Sequence, residues 1–191
     1  MSIYTINSET ELAGGAVADA DELVVYDADT KITKKVQMDS VRQYCGGGIV
    51  NVTDGTVSLT AAAHANRIVT LNRLAGVTVT LPAATGTGDT YTIVIGTAAT
   101  SNANIIETSA TTEHMAGIAI AADDDTEGAG TAHVWNCETS DDTITMDGTA
   151  TGGKVGDIIT IKDYAATIFN VTALLTQSGG SEVTPFSAAV S

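Results

Sequence analysis

Basic and aromatic side chains are both scarce in this chain of 191 residues, with eight Lys plus Arg against 23 Asp plus Glu, one Trp, five Tyr and two Phe. A formal net charge of −15 carried with so few cations gives no electrostatic footprint for nucleic acid or an anionic membrane surface. The acidity reads as a solubility device. The shortage of aromatics leaves little on which a carbohydrate-binding module could stack sugar rings. Two cysteines, Cys45 and Cys137, lie far apart, match no metal spacing and read as free thiols in a reducing compartment. No apolar run approaches the roughly 20 residues of a membrane-spanning helix. The opening MSIYTINSETELAGG has neither the basic nor the apolar region of a signal peptide, so a protein made soluble in a cytoplasm is expected.

Catalytic constellations are missing as well. His64, His114 and His133 are the three histidines, and none has a partner at metal-ligand spacing. No serine sits in a G-x-S-x-G elbow. The glycines at 86 and 88 are followed by no lysine and open no helix, so they make no phosphate loop. Asp123, Asp124, Asp125 and Glu127 form an acidic run without the alternating ligand spacing of a calcium loop, and a solvated loop is the simpler reading. Asp19, Asp21, Glu22, Asp27 and Asp29 are scattered over opposite faces in the same way. His133, Trp135 and Cys137 share one strand face and read as a packed cross-section rather than a Cys/His pair. The expectation is therefore no catalytic residue, no cofactor, no metal and no enzyme.

What the chain does have is threonine, its commonest residue, together with 19 Gly. Thr fits a pleated, half-buried surface better than a helix. The stretch Arg67 to Ile95 shows the pattern most clearly. Val77, Val79 and Leu81 alternate with Thr78 and Thr80; Pro82 ends that strand; Tyr91, Ile93 and Ile95 resume the alternation. Asp54-Gly55 between residues 49–52 and 56–59 predicts a tight hairpin. Further strands are expected at 104–107, 115–120, 133–137, 143–146, 157–162 and 167–173. Short strands at this spacing predict an all-β antiparallel sandwich or jelly-roll-like domain over residues 49–191. Its core of small side chains buries little area per residue, which predicts stabilisation by neighbouring subunits.

Residues 1–45 differ in composition. ELVVYD at 22–27, a turn at 27–30 and a return strand at 31–36 predict a hairpin; Asp39 caps a brief helix bearing Val41 and Tyr44. Such a module is too small to stand alone, and the glycines at 46–48 make a hinge after it. Apolar side chains on both faces of the first strand single out Leu23, Val24, Val25 and Tyr26 as partner-binding residues, with Lys34 and Lys35 expected against carboxylates of a partner or a neighbouring copy.

The run AAAHANRIVTLNRLAGVTVTLPAATGTGDTYTIVIGTAATSNANII, from Ala61 to Ile106, resembles a β-domain of tailed-bacteriophage virion proteins. That domain carries an A-H-A-x-R/K-x-(I/V)-x-L-N segment, a V-T-L-P-A-A-x-G-x-G turn and a Y-x-(F/I)-V-(V/I)-G strand. Gly156-Asp157-Ile158-Ile159 and the closing Thr184-Pro185-Phe186 resemble its end. DELVVYDADTKITKKV is similar to small anchoring modules of phage head fibres and decoration proteins. The resemblance implies a head decoration or cement protein on the outer surface of the capsid, made in the host cytoplasm. Its partners would be the major capsid protein and two copies of itself in a homotrimer, with neither nucleic acid nor membrane bound. A head or tail fibre that binds a host-surface glycan is the alternative.

Overall fold

The computed structural model describes residues 22–38, 40, 41, 45, 48–125 and 130–190, and the chain divides into two units, Met1–Gly47 and Gly48–Ser191. In the first unit, β1 (Glu22–Asp27) and β2 (Ile32–Gln37) pair antiparallel from Glu22↔Gln37 to Asp27↔Ile32. Asp27 fixes the turn: its Oδ1 accepts from the Asp29 and Thr30 N–H groups at 3.0 and 3.1 Å, because a short carboxylate can replace a backbone carbonyl there. Met38, Ser40 and Val41 are helical, and the Cys45 N–H donates to the Val41 carbonyl at 2.9 Å, the spacing of one α-helical turn. The predicted cap Asp39, Tyr44, and the first two hinge glycines, Gly46 and Gly47, lie outside the described residues.

Among the described residues the second unit is all β apart from one helical turn, and it begins as three coils wound one upon the next. β3 (Ile49–Val52) leads into β4 (Thr56–Ser58), then α1 (Ala61–His64). β5 (Arg67–Asn72) leads into β6 (Thr78–Thr80), and β7 (Thr90–Thr97) into β8 (Asn104–Glu107). In each coil the first strand joins one sheet and the second joins the other. β3, β5 and β7 therefore run parallel side by side, as do β4, β6 and β8. Like residues stack between coils: Val57, Val79 and Ile106 align in one sheet, and Val52, Leu71 and Ile95 in the other. Each strand has one apolar face, so at each corner the chain must turn that face inward again.

Asp54-Gly55 is such a corner and not the predicted hairpin, since β3 and β4 pair with β5 and β6 rather than with each other. A two-residue hairpin needs positive φ at the turn. Gly55 is not among the positive-φ glycines, and its carbonyl accepts instead from Thr78 N–H of the next coil at 2.9 Å.

The second half closes both sheets: β9 (His114–Asp123), β10 (Ala132–Asn136), β11 (Thr143–Met146), β12 (Ile158–Ala165), β13 (Ile168–Gln177) and β14 (Phe186–Ser187). The result is a seven-stranded sheet of order β10-β9-β13-β12-β7-β5-β3 facing a five-stranded sheet of order β14-β11-β8-β6-β4. The all-β sandwich-like architecture is as expected. The pairing is mixed, however, and not antiparallel throughout, because the three coils and the β9–β13 pair are parallel.

One core lies between the sheets, lined by the alternate residues that the period-two pattern picks out. Val77, Val79, Leu81, Tyr91, Ile93 and Ile95 are all buried. Burial pushes the Tyr91 hydroxyl up to about 12, helped by the charges of Asp89 and Asp163. Where β9 meets β13 the core thins to Ala173 opposite Ala119, with Trp135 next in the row.

Gly117 sits in this seam opposite Val171, where a Cβ would lie 1.8 Å from the Val171 carbonyl oxygen. Gly117→Ala must therefore push the two strands apart. Urea unfolding should show a loss of about 3 kcal/mol or more, whereas the exposed neighbour Ala116→Ser should change stability by less than about 0.5 kcal/mol.

Candidate functional site

The hairpin holds every residue that the sequence singled out for partner binding. Its register places Leu23, Val25 and Asp27 on one face with Ile32, Lys34 and Val36, and Glu22, Val24 and Tyr26 on the other with Thr33, Lys35 and Gln37. Both faces are thus partly apolar. Val24 and Tyr26 are 69% and 65% exposed, and Leu23, Val25 and Ile32 are exposed on the opposite face. Ile32 belongs to the surface although the sequence reading left it out. As the first residue of the return strand, its side is set only once the register is known.

Two of the lysines have carboxylate partners within the hairpin: Lys34 pairs with Asp27 and Lys35 with Glu22, each on its own hairpin face. The Lys34 hydrogen bond, with those from Thr30 and Asp29, holds the Asp27 carboxyl down at about 2. Exposed pairs of this kind are screened and add little. What they do is neutralise the charge beside the apolar residues.

Elsewhere, buried carboxylates are occupied with backbone donors. Asp163, at the end of β12, accepts from the N–H groups of Thr85, Gly86 and Thr87 at 2.7–3.1 Å and from the hydroxyls of Thr85 and Thr87. Burial alone would raise its carboxyl, yet the bonds from Gly86, Thr87 and Thr85 outweigh that and hold it below its ordinary value. Asp142 binds the N–H groups of Ala189 and Val190 and the Thr143 hydroxyl and is lowered by the same balance. Glu113 accepts from Ala84, Ser109 and the Ser109 hydroxyl. Asp157 accepts from Gly153, Lys154 and Thr176. These are staples for loops, each carboxylate replacing a backbone acceptor.

The acidic run after β9 does not converge as a calcium loop would. Asp123 Oδ1 accepts from Asp125 N–H at 2.9 Å, Asp124 pairs with Lys154, and Asp125 Oδ2 accepts from Gly179 and Gly180 at 2.6 and 2.8 Å. Glu127 lies outside the described residues, as do Asp19 and Asp21. His133 and Trp135 stack, with ring centroids 5.9 Å apart and planes 10° from parallel. Trp135 and Cys137 both pack against the core. Burial, with Asp141 nearby, pushes the Cys137 thiol up to about 12, far from the thiolate a nucleophile needs. His114 lines the same shallow cleft as Cys137 and Glu138.

The staples make stability depend on acid. Asp147 is a further one, its Oδ1 accepting from the Thr149 and Thr151 N–H groups at 2.8 and 3.1 Å; Asp125, Asp142, Asp147 and Asp163 are all held below their ordinary 3.8 in the folded chain. Their contribution is complete above that value and is lost as pH falls through the lower, folded one. The thermal midpoint should drop steadily below about pH 4, and Asp163→Asn should flatten that slope while lowering the midpoint at pH 7. An unchanged slope in this variant would remove Asp163 from the account. No protein-family model matches the chain, and no curated protein is similar to it in sequence.

Proposed function

We propose that the chain is a virion structural protein of a tailed phage, a head decoration protein whose hairpin grips the capsid shell. The observation that carries this reading is the exposure of apolar side chains on both faces of the β1–β2 hairpin. A two-stranded ribbon is marginal by itself, so these residues are suited to burial against a foreign surface. Tyr26 and Val24 on one face are the anchors; an edge strand also offers its free backbone groups for pairing with another chain. Binding only to the assembled lattice then stabilises that lattice by mass action.

The same reading makes the second unit the body of a homotrimer. β3 ends the seven-stranded sheet and β4 ends the five-stranded one, so the whole first coil has an unpaired edge among the described residues. Ile49 on that edge is 70% exposed. Two unpaired strands beside one apolar residue form a surface on which copies of the chain can meet.

Cosedimentation with heads lacking the protein tests the proposal. Full-length protein should bind in hundreds of copies per head; a handful of copies would place it on a fibre instead, and none would end both readings. Tyr26→Ala or Val24→Asp should weaken binding by at least tenfold, whereas Lys34→Ala with Lys35→Ala, or added salt, should have little effect. Salt-induced release with Val24→Asp still bound would mean that attachment is electrostatic. In free solution, light scattering should give three times the chain mass of 19.4 kDa, and a single chain mass at micromolar concentration would remove the trimer.

A further inference from the structure

Three side chains that the sequence keeps apart meet at one end of the seven-stranded sheet. Asp123 is the last residue of β9, His133 lies in β10, and Glu182 lies in the segment between β13 and β14. Pairing sets His133 opposite Ala121, two positions before Asp123, and Asp123 opposite Gln177 at the end of β13. One ligand atom from each of Asp123, His133 and Glu182 lies within 4.8 Å of the other two. His133 Nε2 stands 3.8 Å from Glu182 Oε2, beyond hydrogen-bonding reach. His133 Nε2 and Glu182 Oε1 are both buried and have no hydrogen-bond partner, and the Glu182 side chain is only 10% exposed. Burying a carboxylate oxygen and an imidazole nitrogen unsatisfied is costly, and such atoms ordinarily have a partner.

We propose that Asp123, His133 and Glu182 form a binding site for a divalent transition-metal ion, with Zn²⁺ the ion that fits best. One imidazole nitrogen with two carboxylate oxygens is a donor set for zinc, and the nitrogen disfavours calcium and magnesium, which take oxygen. Bonds of about 2.0–2.2 Å in a tetrahedral site place neighbouring donors roughly 3.4 Å apart, so a contraction of at most about 1.4 Å from the present spacing closes the site. The supporting groups are already in place. The His133 ring is stacked on Trp135. Trp135 Nε1 donates to Gln177 Oε1 at 3.1 Å, and Gln177 Nε2 donates to the carbonyl of Val183, the residue after Glu182, at 2.8 Å. Gln177 is fully buried. It therefore holds both the indole that stacks on His133 and the backbone next to Glu182, a support one contact removed from the ligands themselves. With three protein ligands, one position remains for water. The ion ties the β9–β10 pair to the segment that leads into β14, a structural role that is independent of any virion.

Tryptophan fluorescence tests the site, because Trp135 is the single tryptophan and stacks on the liganding ring. Full-length protein freed of metal with EDTA is titrated with Co²⁺ and then Zn²⁺. Co²⁺ should quench Trp135, Zn²⁺ should reverse the quenching at one ion per chain, and Zn²⁺ should raise the thermal midpoint. Glu182→Gln keeps the side-chain shape, so its far-UV circular dichroism should match that of the natural chain. It should bind Zn²⁺ at least tenfold more weakly, and its metal-free form should melt no lower than the metal-free natural chain. Cys45→Ser with Cys137→Ser should bind as the natural chain does. Equal Zn²⁺ affinity in Glu182→Gln, loss of binding only in the cysteine variant, or no Zn²⁺ bound at all would each overturn the assignment.

Discussion

Hydrogen bonds from loop N–H groups to buried carboxylates hold together what the sheets alone would leave open. The core is built mainly of Val, Ile, Leu and Ala, with Tyr91, Phe169 and Phe186 as its buried rings, so few connections between its strands are anchored by large apolar plugs. Others are anchored by charge. Asp163 gathers the 85–87 turn onto the end of β12, Glu113 fastens Ala84 to Ser109, Asp157 closes 153–154 onto β13, and Asp142 draws in residues 189–190. Each carboxylate gains two or more charge-assisted bonds, which repay its desolvation. The acidity of the chain is therefore partly architectural, and the reading of it as a solubility device alone was incomplete. Which of 23 acidic residues would be used in this way is invisible in sequence, because the donors lie up to 78 positions away.

Local structure was far more legible than partnership. The alternation of Val77, Val79 and Leu81 with threonines, and of Tyr91, Ile93 and Ile95, marked the buried face of two strands correctly, and residues 104–107 and 143–146 were bounded to the residue. The same alternation is silent about which sheet a strand joins. A corner between sheets and a hairpin within one sheet can both be made by an Asp-Gly between two amphipathic strands; they differ in the φ of Gly55 and in whether the next strand offers a parallel neighbour. The three coils leave no visible repeat in the sequence because only the inward positions need to match. Val57, Val79 and Ile106 occupy equivalent places in stacked coils while their neighbours differ.

Sites divide along the same line. The hairpin was found because its signal is local: a short strand with apolar residues on both faces has nowhere to put one of them. The grouping of Asp123, His133 and Glu182 was missed because its members come from two adjacent strands and a distant connection, so no spacing rule applies. A local trace did exist. His133 shares its strand face with Trp135, and that face leads out of the core at Ala121 and Asp123, where the apolar row ends and polar ligands become possible. Reading the face as packing was right for Trp135 and Cys137, and it stopped one residue short at His133.

Net charge is distributed unevenly along the chain, whereas exposed apolar side chains occur in both units. Residues 22–37 contain three acidic residues and three lysines, so this segment is neutral and the whole formal charge of −15 resides outside it. In a crowded array of such chains, like charges penalise contact between bodies. The hairpin carries no net charge and so no such penalty: two of its lysines are paired within it, and its exposed large apolar residues are Leu23, Val24, Val25, Tyr26 and Ile32. Contact through a neutral segment is less opposed by repulsion than contact through an acidic one, and here it also buries apolar area.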